Sequence, residues 1–148
     1  MYINYLYEMP VSLEHRQTGF TVLAWEITET EDFFQERITY RSNARNANKI
    51  RQEMASRYLL ELMHPSFPFQ QLERSDSGKL VLPDSIIDFS LTHTTEFAAA
   101  IMSPDLKVGI DIEKIDERVL KVGRKFLNQH EINWLLKLDL DSRVKFTT

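Results

Sequence analysis

Cysteine is absent from the whole 148-residue chain. Its absence excludes disulfide bridges, thiolate nucleophiles and zinc–thiolate centres together, and it suits a cytoplasmic protein. Long apolar runs are missing too, so no transmembrane helix is available and no membrane partner is expected. The opening "MYINYLYEMP" has neither a basic n-region nor an apolar h-region, and no signal peptide is expected. Positive charge is in deficit overall. Eighteen Lys and Arg against 22 Asp and Glu leave a formal net charge of −4, which gives no global support for nucleic acid as a partner. Ser90 has no G-x-S-x-G context, so a serine hydrolase is not indicated. His15, His64 and His130 do not form metal-ligand spacings with one another. Neither a short repeat nor a low-complexity segment is present.

What remains is a chain with 43% apolar residues, enough to fold and to bury a sizeable core. "YINYLY" alternates and is rich in aromatics, as a strand would be. "GFTVLAWEI" reads as a second strand opened by Gly19. In "TETEDFF", Thr30 is a candidate N-cap with acids in the first turn, which predicts a short helix to about Ile38. The strongest helical pattern spans residues 43–63, with Ala47, Ile50, Met54, Tyr58 and Leu62 on one face. Arg41, Arg45 and Lys49 form a basic stripe at four-residue spacing, and Pro65 and Pro68 end the helix. "FQQLERSDSGKLVL" predicts two strands joined at "SDSG". "SIIDFSLTHT", "EFAAAIM" and "KVGIDIE" predict three more, the last two turned by "SPDLK". "DERVLKVGRKFL" is a helix weakened by Gly123. "NQHEINWLLKL" is another, with Asn128 and Glu131 at capping-box spacing. The fold class is α+β, mainly antiparallel, with one long helix packed on the sheet.

Several segments carry residues that a core does not need. Residues 41–57, "RSNARNANKIRQEMASR", hold five basic side chains and one acidic one, a local concentration suited to a polyanion. Such a run is more often a solvated face whose stems snorkel over apolar surface. In "SLTHT", His93 is flanked by Thr92 and Thr94. Imidazolium, hydroxyls and turn amides together make a phosphate nest, although hydroxyls that merely satisfy a turn are commoner. Gly78-Lys79 marks a hairpin exit. In "VGIDIE", a strand would place Asp111 and Glu113 on one face and Ile110 and Ile112 on the other. Two adjacent carboxylates suit Mg²⁺, which takes hard oxygens and keeps waters and substrate phosphates in its remaining positions. A solvated strand face with Lys107 or Lys114 as salt partners is the commoner origin of that pattern. Trp25 and Trp134 read as core residues.

The order of these segments resembles the Sfp-type 4′-phosphopantetheinyl transferases of the holo-acyl-carrier-protein synthase superfamily. That family shows a basic helix, a "GKP" turn, an "F-N-x-S-H-S" turn, a "G-I-D-I-E" strand, an "F-x-x-x-E" segment and a "W-x-x-K-E" helix. The counterparts here are the "ASRYLL" helix, "GKL", "FSLTHT", "GIDIE" and "KFLNQHE", covering residues 38–148. The resemblance implies transfer of the 4′-phosphopantetheine arm of coenzyme A to a serine of an acyl or peptidyl carrier protein. It implies that Thr92 and His93, helped by Lys79, hold the 3′-phosphate of coenzyme A, with Lys49 and Arg57 adding charge around the nucleotide. Asp111 and Glu113 match the acids that hold Mg²⁺ on the diphosphate. Thr stands where the family has Ser, and "GKL" replaces "GKP". No Trp-x-x-Lys-Glu occurs; the chain stops at "VKFTT", where that helix would begin. The expectation is one complete α+β half of a two-half enzyme, residues 1–107, followed by the opening of the second, residues 108–148. An incomplete second half predicts self-association through the C-terminal third or poor order there, and little or no transfer. The alternative is a catalytically inactive half-domain that at most binds coenzyme A or an adenine nucleotide.

Overall fold

Strands of seven, seven, six and seven residues build a four-stranded antiparallel sheet. In the computed structural model, residues 11–114 and 127–137 are described. The chain divides into two compact units, Met1–Ile112 and Glu113–Thr148. In the first, β1 (Val11–Gln17) and β2 (Phe20–Glu26) form a hairpin. Its turn carries Gly19 at φ +94°, a left-handed conformation that favours glycine. β5 (Asp88–His93) and β6 (Phe97–Ser103) form a second hairpin, closed by Thr94, whose hydroxyl oxygen accepts from the Glu96 and Phe97 amides. The strand order is β1-β2-β6-β5, antiparallel throughout.

The register sets three rows across the face that meets the long helix. Trp25, Ala98 and His93 stand side by side, as do Leu23, Ala100 and Leu91, and Met102 pairs with Phe89. Alanines in the middle strand leave room for helix α2 (Ala47–Met63) to lie across the sheet. Through its middle, from Met54 to Leu60, that helix is buried on every side. Helix α1 (Glu31–Gln35) adds Phe33 and Phe34 to an aromatic cluster with Trp25 and Tyr58, whose rings meet edge-on or tilted. A two-stranded ribbon, β3 (Glu73–Arg74) with β4 (Leu80–Val81), turns at Gly78, φ +82°. In the second unit, α3 (Gln129–Leu135) starts with the expected capping box. Asn128 Oδ1 accepts from the His130 and Glu131 amides, and Glu131 Oε2 accepts from the Asn128 amide.

Three expectations need correction. Helix α2 begins at Ala47, not at residue 43, because Asn46 is extended and caps the helix, accepting from the Asn48 and Lys49 amides at 2.9 and 3.2 Å. Arg41 and Arg45 therefore precede the helix, and the expected basic stripe dissolves. Arg41 instead donates to the carbonyls of Gln35, the last residue of α1, and of Ile38 and Tyr40 beyond it. Residues 107–113, expected as a strand bearing Asp111 and Glu113 on one face, join no sheet. Side chains satisfy the backbone groups that a ladder would use: Asp88 and Lys79 take the Val108 amide and carbonyl, and Thr92 takes the Ile112 amide. Strand β1 lacks a sequence signal because its side chains are exposed at nearly every position, which leaves no apolar alternation to read. The strand expected over "YINYLY", the segment "SRVKFTT" and all but the last residue of the "DERVLKVGRKFL" helix lie outside the described residues.

Candidate functional site

Three segments of the first unit converge on one pocket of about 320 Å³. Helix α2 supplies Lys49, Glu53, Ser56 and Arg57. The β3–β4 ribbon supplies Arg74, Gly78, Lys79 and Leu80, and β5 supplies residues 89–91 and His93. Lys49, Arg57, Lys79 and His93, all expected at a nucleotide site, thus line one cavity. Each is placed by a local rule. Lys49 lies in the first turn of α2, where Asn46 holds its amide. Arg57 follows two helical turns later. Arg74 and Lys79 flank the ribbon turn, and Arg74 Nη1 donates to Gly78 O at 2.9 Å. His93 ends β5 on the face that meets α2.

Arg57 is only 7% exposed. Its Nη1 donates to Glu53 O at 2.9 Å, and its guanidinium sits 4.2 Å over the Tyr40 ring. Its buried Nε has no hydrogen-bond partner, and among the described residues Arg57 makes no ion pair. Burial pushes the guanidinium below its ordinary value, although arginine stays protonated in proteins. A buried cation is costly unless it is paired; the charge of Glu53, one helical turn away, offsets part of that cost without a direct ion pair. Glu53 accepts from Ser42 Oγ at 2.6 Å and Tyr40 Oη at 3.3 Å. Burial opposes its ionisation, but these bonds and the charges of Arg57 and Lys49 outweigh it and hold the carboxyl below its ordinary range. Burial likewise pushes His93 below the ordinary imidazole value, assisted by Lys49 and Arg57 and opposed by Glu53. The lowered value favours the neutral ring.

Thr92 does not share the pocket. As neighbours in a strand, Thr92 and His93 point to opposite faces. Thr92 Oγ1 donates to Asp111 Oδ1 at 2.9 Å and accepts from the Ile112 amide at 3.3 Å. Lys79 contributes to the pocket wall, but its ammonium bonds both oxygens of Asp88 and the Val108 carbonyl. Burial opposes ionisation of Asp88. The hydrogen bonds from Lys79 and the Val108 amide, with the charges of Lys79 and Lys107, prevail and hold its carboxyl below the ordinary range. Asp111 is the penultimate residue of the first unit, and Glu113 opens the second. Both are exposed. Among the described residues no group of three or more His, Asp or Glu could hold a metal ion.

Sequence reasoning missed Arg74 and Asp88. The signal for Arg74 was its place in "RSDSGK", across a tight hairpin from Gly-Lys. For Asp88 it was a single acid at the start of an apolar strand.

No protein-family model matches the chain. A comparison with curated proteins finds the 4′-phosphopantetheinyl transferase gsp of Aneurinibacillus migulanus, 28% identical over 88 residues. The chain is similar to a 4′-phosphopantetheinyl transferase. The alignment covers 60% of this chain and 36% of that transferase, so the chain matches about a third of its relative's length. Likeness to a transferase named for a phosphate-linked group agrees with a pocket rich in cations. No described helix is long and apolar enough to cross a membrane.

Proposed function

We propose that the chain binds the phosphorylated adenosine end of coenzyme A, as the nucleotide-holding half of a two-half Sfp-type 4′-phosphopantetheinyl transferase. The observation that carries this reading is the convergence of Lys49, Arg57, Arg74 and His93 on one cavity, with Arg57 buried and, among the described residues, in no direct ion pair. The 3′-phosphate adds a directly bound anion to this cationic cluster and favours the imidazolium form of His93. In the reaction, the serine hydroxyl of an acyl or peptidyl carrier protein attacks the phosphorus attached to the pantetheine arm. The bond to adenosine 3′,5′-bisphosphate breaks, and no covalent intermediate on this chain is needed. Cations fixed around the nucleotide end orient the diphosphate.

Mg²⁺ belongs to this proposal on the strength of the resemblance. An exposed carboxylate at Asp111, with Oδ1 engaged by Thr92, suits a metal that takes one or two protein carboxylates and completes its shell with water and substrate phosphates. Glu113 is the second candidate ligand. When bound, the ion would neutralise charge developing on the diphosphate oxygens.

A second reading is a module that binds coenzyme A without transferring its arm. Calorimetry with coenzyme A and dephospho-coenzyme A tests the shared premise. The dephospho form should bind about tenfold more weakly or worse, whereas equal affinities overturn the pocket assignment. Incubation with coenzyme A, Mg²⁺ and an apo-carrier protein separates the two readings: turnover supports the transferase, and binding without turnover supports the module.

A further inference from the structure

The ammonium of Lys79 has three donors. They meet Asp88 Oδ1 at 2.9 Å, Asp88 Oδ2 at 2.8 Å and Val108 O at 3.1 Å. Asp88 is 7% exposed, and its Oδ2 also accepts from the Val108 amide at 2.8 Å. Four residues further along both segments, Thr92 Oγ1 accepts from the Ile112 amide and donates to Asp111. Both attachments span 20 residues of sequence, so residues 108–112 run beside β5 in the same direction, tied by side chains at each end. A lysine committed to a buried acid is a poor phosphate ligand, because meeting a phosphate would leave Asp88 with only the exposed Lys107, 3.8 Å away, as counter-charge.

We propose that Lys79 is a positioning residue: with Asp88 it clasps the segment carrying Asp111 against β5, and phosphate recognition falls to Lys49, Arg57, Arg74 and His93. The functional meaning of the clasp rests on the coenzyme A reading, whereas its existence does not. It fixes the Asp111 carboxylate through Val108 and the Thr92 hydroxyl. The nucleotide pocket lies on the other face of β5, so one strand serves both.

Lys79→Met and Asp88→Asn test this in the full chain with two measurements. The first is amide hydrogen exchange. Val108 and Ile112 should exchange about tenfold faster in either variant, while Leu23 and Ala100 in the sheet keep their protection. A general loss of stability would instead accelerate all four. The second is the preference for adenosine 3′,5′-bisphosphate over adenosine 5′-monophosphate. That ratio should stay within about twofold in Lys79→Met and fall about tenfold in Lys49→Met. Unchanged Val108 exchange in Lys79→Met, or a tenfold loss of 3′-phosphate preference there, overturns the proposal. If the parent chain binds neither nucleotide, the coenzyme A reading fails and the exchange measurement alone decides the clasp. Should either variant fail to fold, Lys79→Met/Asp88→Leu, which leaves no buried charge at this place, replaces it in both measurements.

Discussion

His93 and Thr92 are neighbours in the chain and serve opposite faces of β5, because successive strand residues alternate. The resemblance supplies the pair, and only the strand shows that the pair must divide. His93 enters the pocket half-exposed, where burial and the charge of Lys49 favour the neutral ring. Removing Lys49 removes one cause of that depression. In Lys49→Met the His93 imidazole should therefore titrate at a higher pH than in the parent chain, as read by NMR of the ring protons; an unchanged midpoint contradicts the electrostatic coupling. The same shift links to stability. The unfolded chain takes up a proton near pH 6.5, and folded His93 does so only at lower pH. Its contribution is thus fully present above about pH 6.5 and is lost as pH falls from there through the folded value. Urea denaturation between about pH 7.5 and 5.5 should show a shallower loss in Lys49→Met than in the parent.

At the scale of elements, the entry of α2 links local structure to the site. Asn46 accepts two orphan amides, one of them from Lys49 itself. Asn46→Ala should cost about 1 kcal/mol in urea denaturation. By fraying the first turn it should also weaken coenzyme A binding, although Asn46 is not a lining residue of the pocket. Unaltered affinity would mean that Lys49 does not act from the first turn. The turn between β3 and β4 was readable from "SDSG", and α3 from its capping box, because turn chemistry and caps are local. Residues 107–113 were not readable. Their alternation matched a strand, but a strand also needs a backbone partner, and Asp88, Lys79 and Thr92 occupy the groups that would pair.

The whole molecule separates along the chain. The core cluster and every lining residue of the pocket fall within Met1–Ile112. A chain of residues 1–112 should therefore fold cooperatively and keep its coenzyme A affinity within about threefold. Circular dichroism melting and calorimetry check this. A non-cooperative melt would show that the first unit depends on the second, and loss of affinity in a folded fragment would place binding determinants beyond Ile112.

By itself, the sequence determined what depends on composition and near neighbours. Absent cysteine removed thiolate chemistry, and apolar runs of strand length marked β2, β5 and β6. Pro65 and Pro68 marked the end of α2, and the order of basic helix, Gly-Lys, Thr-His and "DIE" pointed to a phosphate-handling transferase. Tertiary structure alone decided which side chains meet. Arg57 became a buried cation because α2 is enclosed through its middle. Arg74 joined the pocket because the ribbon folds toward β5, and Lys79 turned to Asp88 because an acid nine residues away lay within reach of its ammonium. Periodicity states which residues share a face. The destination of that face, and the partner each charged group finds there, depends on how separated segments pack.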